Sequence, residues 1–199
     1  ANDGEKLTTL DEQERTLTKD DIAITDGEKA VGLAGVMGGL NTEVENTTKN
    51  VIIEAAIFDS VKVRKTSNKI LRSEASNRFE KGLDPARTYM AIERACNLLE
   101  KYAGAKVLKG MLKYDVTNNK EKKIEIEYKL INDVLGTNIS NEDIVNAFRR
   151  LKFETIANEK SVTVIVPTRR IDIEIKEDLI EEVGRIYGVN NIQGKLPVV

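Results

Sequence analysis

Apolar positions recur with two periods along this chain, alternating in some stretches and helical in others. From Leu7 to Ile24 they alternate with polar residues in short pieces broken by turn formers. Asp26-Gly27 ahead of the run from Ala30 adds a hairpin signal, so this stretch predicts β-strands. The β-branched run Val51-Ile52-Ile53-Glu54-Ala55-Ala56-Ile57-Phe58, bounded by Asn50 and Asp59, predicts a buried strand carrying one carboxylate. Asp59-Ser60 predicts the cap of a helix over Val61 to Lys69. Tyr89, Ala91, Ile92, Ala95, Cys96, Leu98, Leu99 and Tyr102 follow the helical period, which predicts a helix from about Pro85 to Ala103 stopped by Gly104. Cys96 falls on its apolar face and is expected to be buried and inert.

Periodicity disappears between Asp115 and Lys123, which predicts a linker over residues 116–123. Beyond it, Ile124 to Glu127 reads as a short strand and Leu130 to Leu135 as a helix stopped by Gly136. Ser140-Asn141-Glu142-Asp143 opens a further helix to Leu151. Phe153 to Ala157 and Ser161 to Val166 pair as a hairpin, and a last helix runs from about Glu177 to Tyr187, ended by Gly188. Two short helices followed by a hairpin outline a winged helix. The domains expected are 1–115 and 124–197, in an α+β fold class.

Composition narrows the chemistry. The 199 residues contain no histidine, no tryptophan and one cysteine, and 31 basic side chains nearly balance 33 acidic ones for a net charge of −2. Histidine-dependent triads, histidine zinc sites, thiolate clusters and intramolecular disulfides are therefore excluded within this chain. The near-neutral balance argues against a dominant, sequence-blind nucleic-acid binder. No apolar run approaches the roughly 20 residues needed to span a bilayer, and no targeting segment opens the chain, so a cytoplasmic protein without membrane partners is expected. The opening ANDGEKL reads as the start of an excised piece.

Four constellations could carry chemistry. Gly32-Leu33-Ala34-Gly35-Val36-Met37-Gly38-Gly39 lets backbone approach a ligand closely, or simply forms a tight bulge or strand crossing; it matches neither a phosphate-binding loop nor a dinucleotide fingerprint. Glu54 either points to solvent from its strand or faces a pocket, where burial would raise its pKa. Leu71 to Pro85 interleaves Ser73, Ala75 and Ser76 with Arg72, Arg78 and Lys81, which suits a polar pocket wall, phosphate contacts or an ordinary capping loop. Asp172, Asp178, Glu181 and Glu182 place oxygen ligands within reach of one another, with three of them on one helix face. Such a set suits Mg²⁺ or merely complements the helix dipole.

In order, GLAGVMGG, VIIEAAIF, RSEASNRFEKGLDP and VPTRRIDIEIKEDLIEEVGRIYGVNNI resemble the β-subunit family of bacterial phenylalanyl-tRNA synthetases, from Gly4 to Pro197. The resemblance implies that this is a fragment: the later part of an editing domain, a partial mixed β-sheet with helices, followed by a winged-helix-like α+β domain. It implies a pocket that hydrolyses tyrosine mischarged onto tRNA(Phe), with Glu54 receiving the tyrosine hydroxyl and Ser73, Ala75 and Gly38 forming walls. A positioned water would attack the ester while backbone amides hold the oxyanion. A histidine preceding Ala1 in the family would complete the pocket, so the fragment alone is expected to be inactive. The resemblance further implies Mg²⁺ on Asp172, Asp178, Glu181 and Glu182 at the contact with the α subunit. The complete enzyme would be an ATP-dependent α2β2 heterotetramer whose ATP this fragment does not bind. The alternative is a non-enzymatic DNA-binding module using Glu125 to Val166. Its second helix carries Glu142 and Asp143 against only Arg149 and Arg150, a poor balance for phosphates.

Overall fold

The computed structural model describes residues 1–117, 121–192 and 194. The chain divides into two units, Ala1–Tyr114 and Asp115–Val199. Both combine helices with strands that pair only antiparallel among the described residues, so the α+β class holds while the mixed sheet expected of the first unit does not form.

In the first unit, β1 (Lys6–Thr8) pairs with β2 (Glu14–Thr16), and β3 (Ala23–Thr25), β4 (Ala30–Leu33) and β5 (Met37–Gly38) form a second sheet in that order. The β3–β4 turn is built as the Asp26-Gly27 signal predicts: Asp26 Oδ1 accepts from the amides of Glu28 and Lys29 at 3.0 and 2.9 Å. A bridge between Thr9 and Gly39 joins the two sheets. Three helices follow: α1 (Ser60–Lys69), α2 (Glu74–Phe79) and α3 (Arg87–Ala103). Asp59 caps α1 by accepting from the Lys62 amide. Gly104, in the left-handed region at φ 62°, ends α3. Leu7, Leu17, Ala30, Leu33, Val36 and Val63 make a small core, with Phe58 and Phe79 packed on it.

A buried carboxylate ties α1 to the sheets. Asp21 is 4% exposed and accepts from the Thr66 hydroxyl at 2.7 Å and the Lys69 ammonium at 3.0 Å. Burial by itself would raise its pKa, but the bonds from Thr66, the Thr18 amide, Lys69 and the Thr18 hydroxyl outweigh it and hold the group at about 2.

Two expectations fail in this unit. Residues 51–58 form no strand, and Ile52 is 99% exposed. β-branched residues favour extended backbone, but a strand also needs a ladder partner, and none of the described strands pairs with this run. Cys96 is half-buried rather than buried, because α3 has no buried residue at all and its apolar stripe lies against nothing that closes over it among the described residues.

The second unit is built around one sheet, ordered β6 (Lys122–Glu127), β8 (Ser161–Val166), β7 (Glu154–Ala157), with α4 (Tyr128–Leu135), α5 (Asn141–Arg150) and α6 (Lys176–Tyr187). Strict alternation buries Ile124 and Ile126 from β6, while helical spacing buries Ile144, Val145, Ala147 and Phe148 from α5. Gly136, at φ 64°, ends α4, and Ser140 caps α5 by accepting from the Asp143 amide. The element order after β6, two helices and then a hairpin, is the winged-helix outline expected from the sequence.

Candidate functional site

A groove of about 790 Å³ lies in the first unit. One wall is the glycine-rich turn from Gly32 to Gly38; the other is Glu54, Ala56 and Phe58, with Ala75 and Phe79 from α2. The turn needs its glycines for packing at two points. Gly35 sits at φ 68°, and a Cβ there would meet Val63 and Phe79 at 3.1 Å. A Cβ on Gly39 would lie 2.6 Å from the Val31 carbonyl oxygen. Gly38 is different: it is exposed to the groove and held from behind by Leu10, whose amide donates to the Gly38 carbonyl at 3.0 Å. The glycine motif is thus both a tight crossing and a groove wall.

Three carboxylates line this groove, Asp26, Glu43 and Glu54, and the environments of Asp26 and Glu54 are opposite. Hydrogen bonds from the Lys29 and Glu28 amides lower the Asp26 pKa and occupy that group. Glu54 has no hydrogen-bond or ion-pair partner among the described residues, and loss of solvent beside the apolar lining raises its pKa. Glu54 is exposed and is one of the residues that line the groove.

Gly38, Glu54 and Ala75 line the same groove, whereas Ser73 does not. The Ser73 hydroxyl donates to the Val36 carbonyl at 2.6 Å and accepts from the Ser76 amide at 3.1 Å; the Ser76 hydroxyl in turn accepts from the Ser73 amide at 2.9 Å. This capping box fastens the start of α2 to the glycine-rich turn, so Ser73 positions the wall from behind it. Sequence reasoning missed the aromatic floor of Phe58 and Phe79, whose rings pack 5.4 Å apart. Its signal was an aromatic ending the 51–58 run and another inside the 71–85 segment.

The acidic residues near α6 are engaged with protein groups. Arg170 donates to Asp172 Oδ1 at 2.8 Å and to Glu182 Oε2 at 2.9 Å, and Arg185 donates to Glu182 Oε2 at 2.7 Å. Glu182 is 6% exposed, and Arg185, then Arg170, lower its pKa against the effect of burial. Asp178 Oδ2 accepts from the amides of Glu174 and Ile175 at 2.6 and 2.9 Å, capping α6, and these bonds lower its pKa. Glu181 is exposed. Among the described residues no three acidic or cysteine side chains are gathered around one point that could hold a metal ion. The set as arranged does not fit Mg²⁺, because a cation would have to displace guanidinium groups already paired to Asp172 and Glu182.

The outward positions of α5 give no basic stripe. Glu142 and Asp143 stand at its first turn, Arg149 bonds to Asn146, and the opposite face is core. No described helix is long and apolar enough to cross a membrane.

Residues 1–104 match the family described as the B3/4 domain, and residues 124–189 the tRNA synthetase B5 domain. The phenylalanine-tRNA ligase β subunits of Staphylococcus aureus strains Mu50 and N315 are each 50% identical to this chain over all of it. The chain spans 25% of the length of those relatives. An N-terminal fragment of the phenylalanyl-tRNA synthetase β-subunit from Pyrococcus horikoshii is 15% identical, with a TM-score of 0.47 over 94% of this chain and 55% of that one. With both domains in succession and half of its positions shared with bacterial β subunits along its whole length, the chain belongs to the phenylalanine-tRNA ligase β-subunit family.

Proposed function

We propose that the groove of the first unit is the amino-acid end of a hydrolytic editing site, clearing tyrosine mischarged onto tRNA(Phe) in an ATP-dependent phenylalanine-tRNA ligase. The observation that carries this reading is Glu54: a groove carboxylate with no protein partner among the described residues, set beside apolar walls and the small Ala75. A tyrosine ring covered by those walls presents its hydroxyl to Glu54. A phenylalanine ring would desolvate the same carboxylate and leave it unpaired, which costs about 1–3 kcal/mol or more for a charged group. A site that demands a hydroxyl rejects the ligand lacking it far more strongly than a site that merely tolerates one.

Gly38 lends its backbone to the wall, and Ala75 leaves room for the para oxygen. Ser73 is a positioning residue, since its hydroxyl is engaged at Val36 and Ser76, and hydrolysis proceeds by water rather than by a side-chain nucleophile. In the complete enzyme the α subunit of an α2β2 assembly, tRNA(Phe) and cytoplasmic ATP are the expected partners. Asp172, Asp178 and Glu182 are engaged by arginines and backbone amides.

In the complete enzyme, Glu54→Ala is expected to lower tyrosyl-tRNA(Phe) deacylation by about 10²-fold, on the order of 3 kcal/mol, with phenylalanine charging intact. Glu54 accepts most strongly when ionised, so the acid limb of the deacylation profile should be shifted upward from that of a free glutamate and vanish in Glu54→Ala. Unchanged deacylation by the variant would remove Glu54 from the site.

A further inference from the structure

We propose that the outward face of α1 is a contact surface for an RNA phosphate backbone, placed to hold the nucleic-acid part of a substrate whose ester end enters the neighbouring groove. This rests on the editing reading for the groove and extends it to the rest of the substrate. From Ser60 through Ser73 the chain carries Lys62, Arg64, Lys65, Lys69 and Arg72 and no acidic residue, although basic and acidic side chains balance over residues 1–114. The inward side of the helix is Val63, Thr66 and Ser67, all buried, so helical geometry turns Val61, Lys65 and Asn68 outward, with Arg64 on one flank and Lys62 and Lys69 on the other.

Not all of these charges are available. Lys69 is committed to Asp21 at 3.0 Å, and Arg72 donates to Asn68 Oδ1 at 3.0 and 2.7 Å and lies 3.6 Å from Glu80. Lys62, Arg64 and Lys65 are exposed, and among the described residues their side chains have no ion-pair partner. Three unpaired cations on one helix, without a structural role in the fold, are what a polyanion contact requires.

Position links the face to the groove. Only Asp59 separates α1 from groove-lining Phe58. Val63, on the inner side of α1, approaches the Cβ position of Gly35 at 3.1 Å, and α1 packs on α2, which carries Ala75 and Phe79. The same helix therefore supports the groove wall inward and presents cations outward. An anionic membrane is the poorer fit: an interfacial helix offers a broad apolar face to lipid, whereas α1 exposes only Val61 and buries Val63 in the core.

The test compares the full chain with its Lys62→Ala/Arg64→Ala/Lys65→Ala variant, titrating a fluorescein-labelled RNA hairpin with a single-stranded 3′ end across a salt series. The variant is expected to bind about ten-fold more weakly at low salt. The slope of log K against log salt should fall by about 2 to 3, roughly one per lost phosphate contact. The charge-conserving Lys62→Arg/Lys65→Arg variant should bind as the parent does. In the complete enzyme the triple variant should lower kcat/KM for deacylation of added tyrosyl-tRNA(Phe), most at low salt, with kcat retained. An unchanged salt slope in the triple variant overturns the proposal, as does loss of binding to phosphatidylserine vesicles with RNA binding intact. Glu54→Ala should leave the RNA titration untouched. If that variant also edits normally, the groove reading falls, while the salt slope still decides the RNA face by itself.

Discussion

The two units of this chain bury their apolar residues very differently. In the second, strands and helices close over one continuous core from Ile124 to Val183, with Ile126, Ile131, Ile144, Phe148, Val162, Val164 and Leu179 fully buried. In the first, a handful of side chains around Leu17 and Leu33 form the core, while α3 buries nothing and Tyr89, Met90 and Tyr102 stand exposed. The difference separates two uses of an amphipathic pattern. In α5 the pattern is satisfied inside its own unit, so the element is part of what holds that unit together. In α3 and in residues 51–58 it is not, and the first unit instead relies on polar ties such as Asp21 and on tight glycine turns. Its open groove is the other side of that economy, since a site that takes a ligand must leave apolar surface uncovered.

The sharpest way to break the contrast is to hollow out the dense core. Phe148→Ala, which removes a fully buried ring stacked on Phe153, should destabilise the second unit by about 3–5 kcal/mol in urea unfolding. A loss below 1 kcal/mol would mean the core is not packed as described. In the first unit the corresponding weak point is polar. The Asp21 pKa lies at about 2 against an ordinary 3.8, so its contribution is present above that ordinary value and is lost as pH falls through about 2. The shift corresponds to about 2 kcal/mol, and Asp21→Asn should remove that much at pH 6 and flatten the acid limb of the unfolding profile. An unaltered acid limb would show that Asp21 is not the tie. Smaller still is Lys152→Gly. Lys152 occupies the left-handed region at φ 61° just beyond α5, and glycine there should stabilise the second unit by about 1 kcal/mol. Least of all, Met90→Ala and Tyr102→Ala should each change the stability of this chain by less than about 0.5 kcal/mol, since both side chains are largely exposed. A large loss would place α3 against a surface in solution.

The same contrast explains what was legible in the residues. In the second unit the alternation of Ile124 and Ile126, the Ser140 cap and the Gly136 stop are all local signals, and each corresponds to the observed element because its core partner lies within the unit. In the first, the Asp26-Gly27 turn and the Asp59 cap are local too and form as read. The run at 51–58 forms no strand because β-branched composition reports what a backbone can do, whereas a strand exists only with a neighbour. Cys96 is only half-buried for the same reason: a helical apolar stripe implies a partner but does not supply one.

At the candidate site, residue types and order determined that a glycine-rich turn, a lone glutamate and a small-residue segment occur together, and the family resemblance joined them. Only the tertiary structure decided that Gly38, Glu54 and Ala75 share a groove while Ser73 faces backward into a capping box. It also decided that Asp172 and Glu182, whose spacing alone suits a cation, are held by Arg170 and Arg185. Capping, turn formation and helical period act over a few residues and are written locally. Which charged group meets which partner depends on side chains brought together from distant positions, and that is settled when the elements pack.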